Sequence, residues 1–589
     1  MAAIQITDCR GMSKKIDPKK LPEGIAQAAY NVQFGQGHIR PINQPYSPSP
    51  AISLSLGTLA SNLDTIFKTS SGFWIGFDHF TRIMESPVPE DSYKRVYSTG
   101  HAHGSGSIEP RVRDGQSASN LQNQLFRLGV PKPSAGPTVT LSPSSSANTA
   151  TENPTSRAYA ITYVTAFGEE GPPSDPVTVD VYTDQTATIY AGNPPGSRNI
   201  TNIRLYRTDE DGTFRVHDTY TLSAIASPGF ADSKSDSQLG EEIPSSTWKE
   251  PPDNIEGIMH AGNGIVAAFL GNTLLFSERY LPHAWPEEYR LTTNSPIVAL
   301  ANLPEGILVL TEGKPALATG NDPSGMTLSE LDFPQACISR RGVVEMGTSV
   351  IYPSPDGMIQ ITASGGRNLT EDVFTGEDWR TYAFTGSDRL QGFFWENQYV
   401  GFDRTAESSA GQARSNGFVL DPRGGGASFS FLEGSYGSGR DWGQIIAGFN
   451  DLKDDKLYLA SVTSSTEIVE WAESGNMLEA SIDSAVFYSP RPVNFGALRV
   501  NAESVGGFSG TITLYGMGQS GWSTIQATTI DTTNSALGMG HESDAEQIER
   551  MPSGTKHNEV YIKLKSDRSS SSSKGGCSMI KYAESMQEL

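Results

Sequence analysis

The chain has 589 residues, which is too long for one hydrophobic core, because single cores stop growing at roughly 250 to 300 residues. Its 60 Gly and 36 Pro, with abundant Ser and Thr, favour short strands and turns over long helices. Acidic residues outnumber basic ones by 66 to 44, and the net charge of −22 argues against a sequence-independent grip on nucleic acid. We therefore expect two to four domains that are mostly β.

The cysteines and the N-terminus indicate where the protein matures. Cys9, Cys337 and Cys577 lie far apart and are odd in number, which argues against a disulfide framework or a CxxC metal site. The N-terminus has no apolar core of signal-peptide length, and no stretch reaches about 18 apolar residues. We expect a protein of a reducing cytoplasm that is neither secreted by a signal peptide nor inserted in a membrane.

The first segment, residues 1–130, is predicted to hold an arm, a short helix and the first strands of a larger β domain. In LPEGIAQAAYNV, residues 21–32, apolar residues recur at helical spacing after Pro22, which predicts an amphipathic helix. GFWIGFDHFTRIM (72–84) indicates two strands around Asp78 and His79, and RVYSTG (95–100) indicates a third.

Residues 131–155 are poor in charged and large apolar residues, which is typical of a linker. Beyond them, residues 156–246 alternate apolar and polar positions around the turns GEEGPPSDP and DEDG. The spacing of strands and turns predicts an inserted β-sandwich, whose first strand could begin within the linker.

Residues 247–485 contain repeated strand, turn and strand patterns that begin at 266, 307, 350, 398 and 456, with separations of 41, 43, 48 and 58 residues. Such spacing is typical of propeller blades, which bury their faces by stacking around an axis. We predict a β-propeller that also takes the hairpin at 72–84, and a stack of unrelated hairpins is the alternative. Residues 486–589 are predicted to be a small C-terminal β module, and the Ser run at 569–573 a loop or disordered insertion.

The most chemically loaded stretch is LLFSERYLPHAWPEEY, residues 274–289. It offers Ser277, His283 and several carboxylates, but Ser277 is not in a G-x-S-x-G elbow and no Gly-rich oxyanion loop adjoins it. Pro282 and Pro286 favour an extended turn at the end of a strand. We interpret the stretch as a polar corner of a scaffold.

Other candidate motifs are weaker. TDEDGTF (208–214) has the wrong spacing for a sialidase-type box and too few oxygen ligands for calcium, so it is interpreted as a hairpin turn. SPDGMI (354–359) and DPRGGGA (421–427) are turn signals, and His101 and His103 have metal-like spacing without a third ligand nearby. We therefore predict no enzyme activity, no catalytic, cofactor-binding or metal-binding residues, and no cofactor.

Several strings, in order and over nearly the whole chain, resemble the tail nozzle or tail hub proteins of short-tailed, podovirus-like bacteriophages. They are LPEGIAQAAYNVQFGQGHIRP, YAITYVTAFGEEGPPS, NITNIRLYRT, GNTLLFSERYLPHAWPEEYR, ACISRRGVV, YPSPDGMIQI and AESMQEL. The match through 257–362 is the most specific, and no catalytic role comes with it.

The resemblance implies a virion structural protein, assembled in the host cytoplasm, with a β-propeller body and an inserted fibronectin type III-like β-sandwich. It implies a homo-oligomeric ring, commonly a hexamer, around the DNA exit channel, in contact with portal-adaptor proteins and with tail fibres or tail tip proteins. Genomic DNA would pass an acidic wall during ejection without sequence-specific binding. The alternatives are a receptor- or glycan-binding tail protein and a propeller-type tail hydrolase.

Overall fold

The computed structural model describes most of the chain. The described residues are 4–6, 9–35, 38–55, 63–100, 108–196, 198–226, 229–382, 390–403, 417–423, 427–434, 442, 445–462, 466–473, 477–493, 497–503, 509–518, 521–531, 544–550, 557–566 and 580–586.

The chain folds into two compact units, each assembled from separate stretches of sequence. Unit 1 contains Met1–Lys68, Ala301–Pro315 and Glu330–Leu589, and unit 2 contains Thr69–Leu300 and Ala316–Ser329. The predicted division of the chain into five segments stays a prediction.

Among the described residues, helices are few and short. The α-helices are α1 (Ala118–Asn123), α2 (Leu222–Ala226) and α3 (Gly376–Tyr382), and the 3-10 turns are Asp236–Gln238, Glu287–Tyr289, Pro323–Gly325 and Arg340–Gly342. In the part of the chain that the structure describes, no helix has the length and apolar character needed to cross a membrane.

Strands make up almost all of the remaining regular structure, so the prediction of a mainly β protein is confirmed. In chain order they are β1 (Ile4–Ile6), β2 (Gly11–Met12), β3 (Ile25–Ala26), β4 (Ala28–Tyr30), β5 (Val32–Gly35), β6 (His38–Pro41), β7 (Thr65–Lys68), β8 (Trp74–Phe77), β9 (Arg82–Glu85), β10 (Val96–Thr99), β11 (Arg111–Arg113), β12 (Leu125–Arg127), β13 (Thr138–Ser142), β14 (Thr155–Thr165), β15 (Val177–Val181), β16 (Thr186–Tyr190), β17 (Ile200–Thr208), β18 (Phe214–Thr221), β19 (Phe230–Asp232), β20 (Glu256–His260), β21 (Val266–Leu270), β22 (Thr273–Phe276), β23 (Leu291–Thr292), β24 (Ile297–Leu303), β25 (Gly306–Thr311), β26 (Ala316–Thr319), β27 (Thr327–Glu330), β28 (Val344–Glu345), β29 (Val350–Ser354), β30 (Gly357–Thr362), β31 (Gly365–Asn368), β32 (Leu390–Trp395), β33 (Gln398–Asp403), β34 (Gly417–Asp421), β35 (Ser428–Leu432), β36 (Ile445–Asp451), β37 (Lys456–Val462), β38 (Thr466–Glu470), β39 (Ser481–Asp483), β40 (Phe487–Val493), β41 (Ala497–Glu503), β42 (Ser509–Gly518), β43 (Gly521–Asp531), β44 (Asp544–Arg550), β45 (His557–Ser566) and β46 (Ile580–Met586).

Unit 2 contains two antiparallel sheets, β9 to β12 and β20 to β23, in which strands adjacent in sequence are adjacent in the sheet. All of β13 to β19 lies between them in sequence. The two sheets nevertheless share one buried apolar cluster, to which Met84 and Tyr97 contribute from the first sheet and Val266 and Leu275 from the second. Each sheet therefore covers an apolar face of the other. Because side chains alternate between the two faces of a strand, each sheet has one apolar face that needs such cover.

The inserted segment forms two further antiparallel sheets, ordered β13-β16-β19 and β15-β14-β17-β18. Ile189 of the first sheet and Ile161 and Leu205 of the second belong to one buried cluster, so the two sheets form a sandwich. Strand β13 lies within the predicted linker 131–155, an outcome that the sequence analysis had left open.

Unit 1 repeats the same packing with the sheet β28 to β31, the strands β32 to β35 of a larger sheet, and the sheet β36 to β38. Tyr399 of β33 joins the apolar cluster that contains Ile351 of β29, whereas its neighbour Val400 joins the cluster that contains Leu459 of β37. Because successive residues of a strand point to opposite faces, the β32 to β35 sheet is buried on both sides. Closure of these small sheets into one propeller stays a prediction.

The predicted helix over residues 21–32 is wrong, because these residues form β3, β4 and the start of β5. The segment is inserted in a sheet, where β4 lies between β35 and β39. Asn31 has a left-handed φ of 56°, and its side-chain amide donates to the carbonyl oxygens of Glu433 and Glu479, both at 2.8 Å. These long-range contacts override a helical spacing of small apolar residues.

The C-terminal strands share their sheets with the N-terminal ones. Strand β46 pairs with β1 and β6, and β39 pairs with β4. Strands β45, β42 and β43 extend the sheet that contains β4 and β32 to β35. The Ser run at 569–573 lies outside the described residues.

Candidate functional site

Residues 274–289 follow the pattern predicted for a strand that ends in an extended turn. Strand β22 ends at Phe276, and the chain then folds back so that the backbone N–H of Glu278 donates to the carbonyl of Ala284 at 2.8 Å. The indole Nε1 of Trp285 donates to the carbonyl of Pro282 at 2.8 Å, and the Tyr289 hydroxyl donates to Glu278 Oε2 at 2.9 Å. These three hydrogen bonds lie within the turn and hold its shape.

Ser277 is fully buried at the end of β22, and its hydroxyl contacts main chain on both sides. Its Oγ accepts from the backbone N–H of Val266 at 3.0 Å and donates to the carbonyl of Glu278 at 2.9 Å. A serine nucleophile needs its proton directed at a base and its oxygen directed at a substrate. Neither condition holds here, because main-chain groups occupy both.

His283 is also buried, with only 4% of its surface exposed. Its Nδ1 lies 3.9 Å from Glu169 Oε1, and its ring meets the Trp248 ring edge-on at 5.8 Å between centroids. Burial, and to a smaller extent the charge of Arg95, lowers the pKa of His283 to about 3. The imidazole is therefore neutral at neutral pH and has no solvent-facing side from which it could serve a substrate.

The groups around His283 form a buried ionic cluster, defined here by Asp91, Arg95, Tyr97, Glu169 and His283. The guanidinium of Arg95 donates from Nε to Asp91 at 2.7 Å and from Nη1 to Glu169 at 2.6 Å. Burial raises the pKa of Glu169 against the opposing charge of Arg95, and burial likewise raises the pKa of Tyr97. The ion pairs offset the cost of burying these charges, so the cluster has a structural explanation.

This ionic cluster also fixes the sandwich within unit 2. Glu169 belongs to the turn between β14 and β15, whereas Arg95 precedes β10 of the neighbouring sheet. Beside it, Tyr93 donates to the carbonyl of Ala166 at 3.0 Å and its ring meets Phe167 edge-on at 4.9 Å. The turn GEEGPPSDP is therefore docked at its acidic end and is not a free tip.

The remaining candidates fall into turns or outside the described residues. In TDEDGTF, Asp209 Oδ1 accepts from the backbone N–H groups of Asp211 and Thr213, and Oδ2 accepts from Arg215, so this turn is the predicted hairpin. Gly357 of SPDGMI has a φ of 151° at a tight turn between β29 and β30. His101, His103 and Gly424 to Gly426 of DPRGGGA lie outside the described residues. Among the residues that the structure describes, no group of three or more His, Cys, Asp or Glu side chains is arranged to hold a metal ion.

Sequence reasoning missed a second buried ionic network, inside the sandwich. Asp232 accepts from Arg207 at 2.9 Å, from His217 at 3.1 Å and from the Tyr159 hydroxyl at 2.7 Å. Burial alone raises the pKa of Asp232, but these three donors outweigh it and hold the pKa well below its ordinary value. The partners are 15 to 73 positions apart in sequence and match no motif, so no local signal could have found them.

It also missed an aromatic face in the C-terminal part of unit 1. Tyr515 of β42 and Tyr561 of β45 are stacked, with ring centroids 4.8 Å apart and an interplanar angle of 6°. Trp522 of β43 meets Tyr561 edge-on at 4.9 Å and is 38% exposed. The sequence predicted a β module over residues 486–589, but the meeting of the three rings depends on strand register.

Comparison with known proteins gives no family for this chain. No family model matches it, and no curated protein matches it. The following solved structures are distant likenesses. The N-terminal domain of Nup159 is 12% identical, with a TM-score of 0.23, over 47% of this chain and 70% of that one. Hsv2 from Kluyvelomyces marxianus is 8% identical, with a TM-score of 0.22, over 52% and 90%.

A glycoside hydrolase family 43 arabinoxylan arabinofuranohydrolase from Bacillus subtilis is 12% identical, with a TM-score of 0.18, over 68% of this chain and 93% of that one. TM-scores and identities this low carry no argument about this chain's fold or chemistry. The comparisons therefore offer no family evidence for an enzymatic activity.

Proposed function

We propose that this chain is a structural virion protein that forms the nozzle, or hub, ring of a short phage tail. In this role several copies, six by the resemblance, surround the DNA exit channel below the portal and adaptor and guide the genome during ejection. Tail fibres or tail tip proteins attach to the same ring. The chain has no catalytic role in this proposal.

The observation that carries the proposal is the stacking of consecutive small sheets on shared apolar clusters. The sheets β9 to β12 and β20 to β23 share Tyr97 and Val266 in one core, and β32 to β35 packs on a neighbour through each face. Repetition of this packing around an axis is how propeller blades bury their faces. It supports the β-propeller body that the sequence resemblance implies.

The inserted sandwich agrees with the same proposal. Its sheets of three and four strands, β13-β16-β19 and β15-β14-β17-β18, fit a fibronectin type III-like module. In sequence, the module lies between the sheets β9 to β12 and β20 to β23 of unit 2, as expected for an insertion in a propeller. Its anchoring through Arg95 and Glu169 suits a module held in a fixed position on a larger assembly.

Charge and the polar corner also support a scaffold role. A net charge of −22 opposes adhesion of a duplex that has to slide past, because like charges repel. In the most chemically loaded stretch, the Ser277 hydroxyl is bonded to main chain and His283 is buried and neutral.

The test is made on particles of the phage that encodes this chain. Isolated tails are analysed by mass spectrometry, and intact virions by cryo-electron microscopy with averaging about the tail axis. We expect the chain in the tail fraction, in a ring of fixed copy number around the channel. Absence of the chain from isolated tails would sink the proposal.

Two other functions make different predictions for the same experiments. A receptor- or glycan-binding tail protein would be found at the periphery of the tail and would bind host cells, and the aromatic face favours this reading. A propeller-type hydrolase would cleave host polysaccharide, and His283→Phe would abolish that cleavage. Cleavage that is lost in that variant would show that residues 274–289 form an active site and are not only a structural turn.

A further inference from the structure

The C-terminal strands of unit 1 present a face that differs from an ordinary solvent-facing sheet surface. Strands β45, β42 and β43 are adjacent and antiparallel. On one face, Ile512, Leu514, Val560 and Ile562 are buried. Alternation along the strands makes the opposite face the outer one, where polar residues are expected. Three aromatic residues lie on it among the polar ones.

We define the aromatic face as Tyr515, Trp522 and Tyr561. Tyr515 lies directly opposite Tyr561 in the β42 and β45 register, and Met517 lies directly opposite Trp522 in the β42 and β43 register. The three rings are in mutual contact through Tyr561, at 4.8 and 4.9 Å. The three rings come from three adjacent strands and make one continuous surface, in which each ring packs on another.

The cations beside the aromatic face are already paired with carboxylates. The Nζ of Lys563 lies 3.4 Å from Asp483 Oδ1, and the Nζ of Lys565 lies 2.5 Å from Glu479 Oε1. The Nζ of Lys19 lies 2.6 Å from Glu559 Oε1. Such pairs leave little net charge to attract an anion. The hydroxyls of Thr513 and Thr524 lie on the same sheet face and offer neutral donors and acceptors.

We propose that the aromatic face binds a neutral polysaccharide. A pyranose ring has one face of C–H bonds with slight positive charge, which packs on the negative face of an aromatic ring. Its hydroxyls then reach the threonines at the edge. Sites for such ligands are typically aromatic surfaces with a few placed polar groups, as found here. This inference does not rest on the ring proposal, since a purified chain can bind a glycan whether or not it assembles.

Two other ligand classes fit less well. Single-stranded nucleic acid also stacks on aromatic rings, but it requires a cationic track for its phosphates, whereas these lysines are paired and the chain carries −22. A protein partner needs about 800 Å² of surface on each side, which is more than three rings supply.

The experiment measures retardation of the full-length purified chain in native gels that contain a soluble glycan. Dextran, a galactomannan and a mixed-linkage β-glucan are the neutral probes, and polygalacturonate and a thymidine oligonucleotide are the anionic ones. We expect the chain to be retarded by at least one neutral probe. Trp522→Ala and Trp522→Leu should each weaken that binding by about tenfold or more, whereas Trp522→Phe, which keeps a ring, should retain most of it.

Tyr46→Ala is the matched control, because Tyr46 is an exposed aromatic residue of unit 1 outside the aromatic face. It should bind like the unaltered chain. Thermal melting confirms that each variant is folded, and Trp522→Leu keeps a branched apolar side chain without a ring if Trp522→Ala is unstable. The proposal is overturned if no neutral probe binds, if Trp522→Leu binds as well as the unaltered chain, or if only the anionic probes bind.

Discussion

Nε2 of His217 lies 3.1 Å from Oδ1 of Asp232, and neither side chain reaches solvent. The same carboxylate also accepts from Arg207 and Tyr159, so one buried anion joins both sheets of the sandwich. A buried charge that loses its counter-charge is costly, whereas the intact pair adds little net stability. Loss of the Asp232 carboxylate is therefore expected to destabilise the sandwich.

We predict that Asp232→Asn destabilises the sandwich by about 1 to 3 kcal/mol, because the buried Arg207 guanidinium loses one of its two carboxylate partners and retains Asp236. The measurement is hydrogen exchange of the full-length chain, read on peptides from 200–221. These amides should exchange much faster in the variant. Glu210→Gln, an exposed acid in the same hairpin, is the control and should change little. Unchanged protection in Asp232→Asn would show that the network is not coupled to the fold.

We predict that acid destabilises unit 2 through His283. Its pKa is about 3 in the folded chain and about 6.5 when unfolded, so the unfolded state binds the proton first. The stability that this gives is complete above pH 6.5 and is lost as the pH falls towards 3. The slope is at most about 1.4 kcal/mol per pH unit. Thermal melting between pH 7 and pH 4 measures it.

His283→Phe keeps a ring against Trp248 and removes the titrating group, so the melting temperature of the variant should fall less over that range. Glu169 acts in the opposite direction. Burial raises its pKa in the folded state, so the folded state gains stability through this group as the pH falls. Asp91, Arg95 and Tyr97 face the same site and are unchanged in both chains. Parallel curves for the two chains would contradict the prediction.

We predict that Ser277→Ala destabilises unit 2 by about 1 to 3 kcal/mol, because the backbone N–H of Val266 loses its buried acceptor. Any glycan-cleaving or peptidase activity of the purified chain should be the same with and without the hydroxyl. Urea unfolding followed by fluorescence gives the stability change. Ser144→Ala, at an exposed position, is the control. A stable variant that has lost an activity would reverse the interpretation of residues 274–289.

We predict that Glu152→Ala opens the loop after β13 to proteolysis. Glu152 Oε1 accepts from the backbone N–H of Thr183 at 3.0 Å and from the side chain of Asn148 at 3.0 Å, which ties the loop to the sandwich. Limited proteolysis with mass spectrometry should show cleavage within 143–154 first in both chains, and faster in the variant. Glu210→Ala serves as the comparison. Equal rates would mean that these bonds do not restrain the loop.

Much of the strand content could be predicted from the sequence, because the signals for strands and turns come from residues that are only a few positions apart. The pattern at 350–362 alternates apolar residues around Asp356 and Gly357, and the structure has β29 and β30 on either side of that turn. The patterns at 307–319, 398 onward and 456–471 likewise contain strands β25 and β26, β33, and β37 and β38. Period-two alternation and turn residues act within a few positions, so a single sequence reveals them.

The helix predicted over 21–32 failed for the opposite reason. Its apolar spacing fits a helix, but Ala28 and Ala29 are buried in a strand whose neighbours, β35 and β39, are encoded about 400 and 450 positions later. The same limitation hid the ionic cluster of Arg95 and Glu169 and the aromatic face. Each depends on which distant strands become neighbours, and no local pattern encodes that.

The pairing of β1 with β46 has a consequence for how the chain is made. Ile4 lies opposite Ser585, so β1 can pair with β46 only after all the strands between them in sequence have been synthesised. Most of unit 2, Thr69–Leu300, is available to fold while translation continues, whereas the sheets of unit 1 keep open edges until the last strands emerge. Nascent chains that stall late should therefore contain a folded unit 2 and an incompletely folded unit 1. The open strand edges of unit 1 would make such chains prone to aggregate and would make them substrates for chaperones.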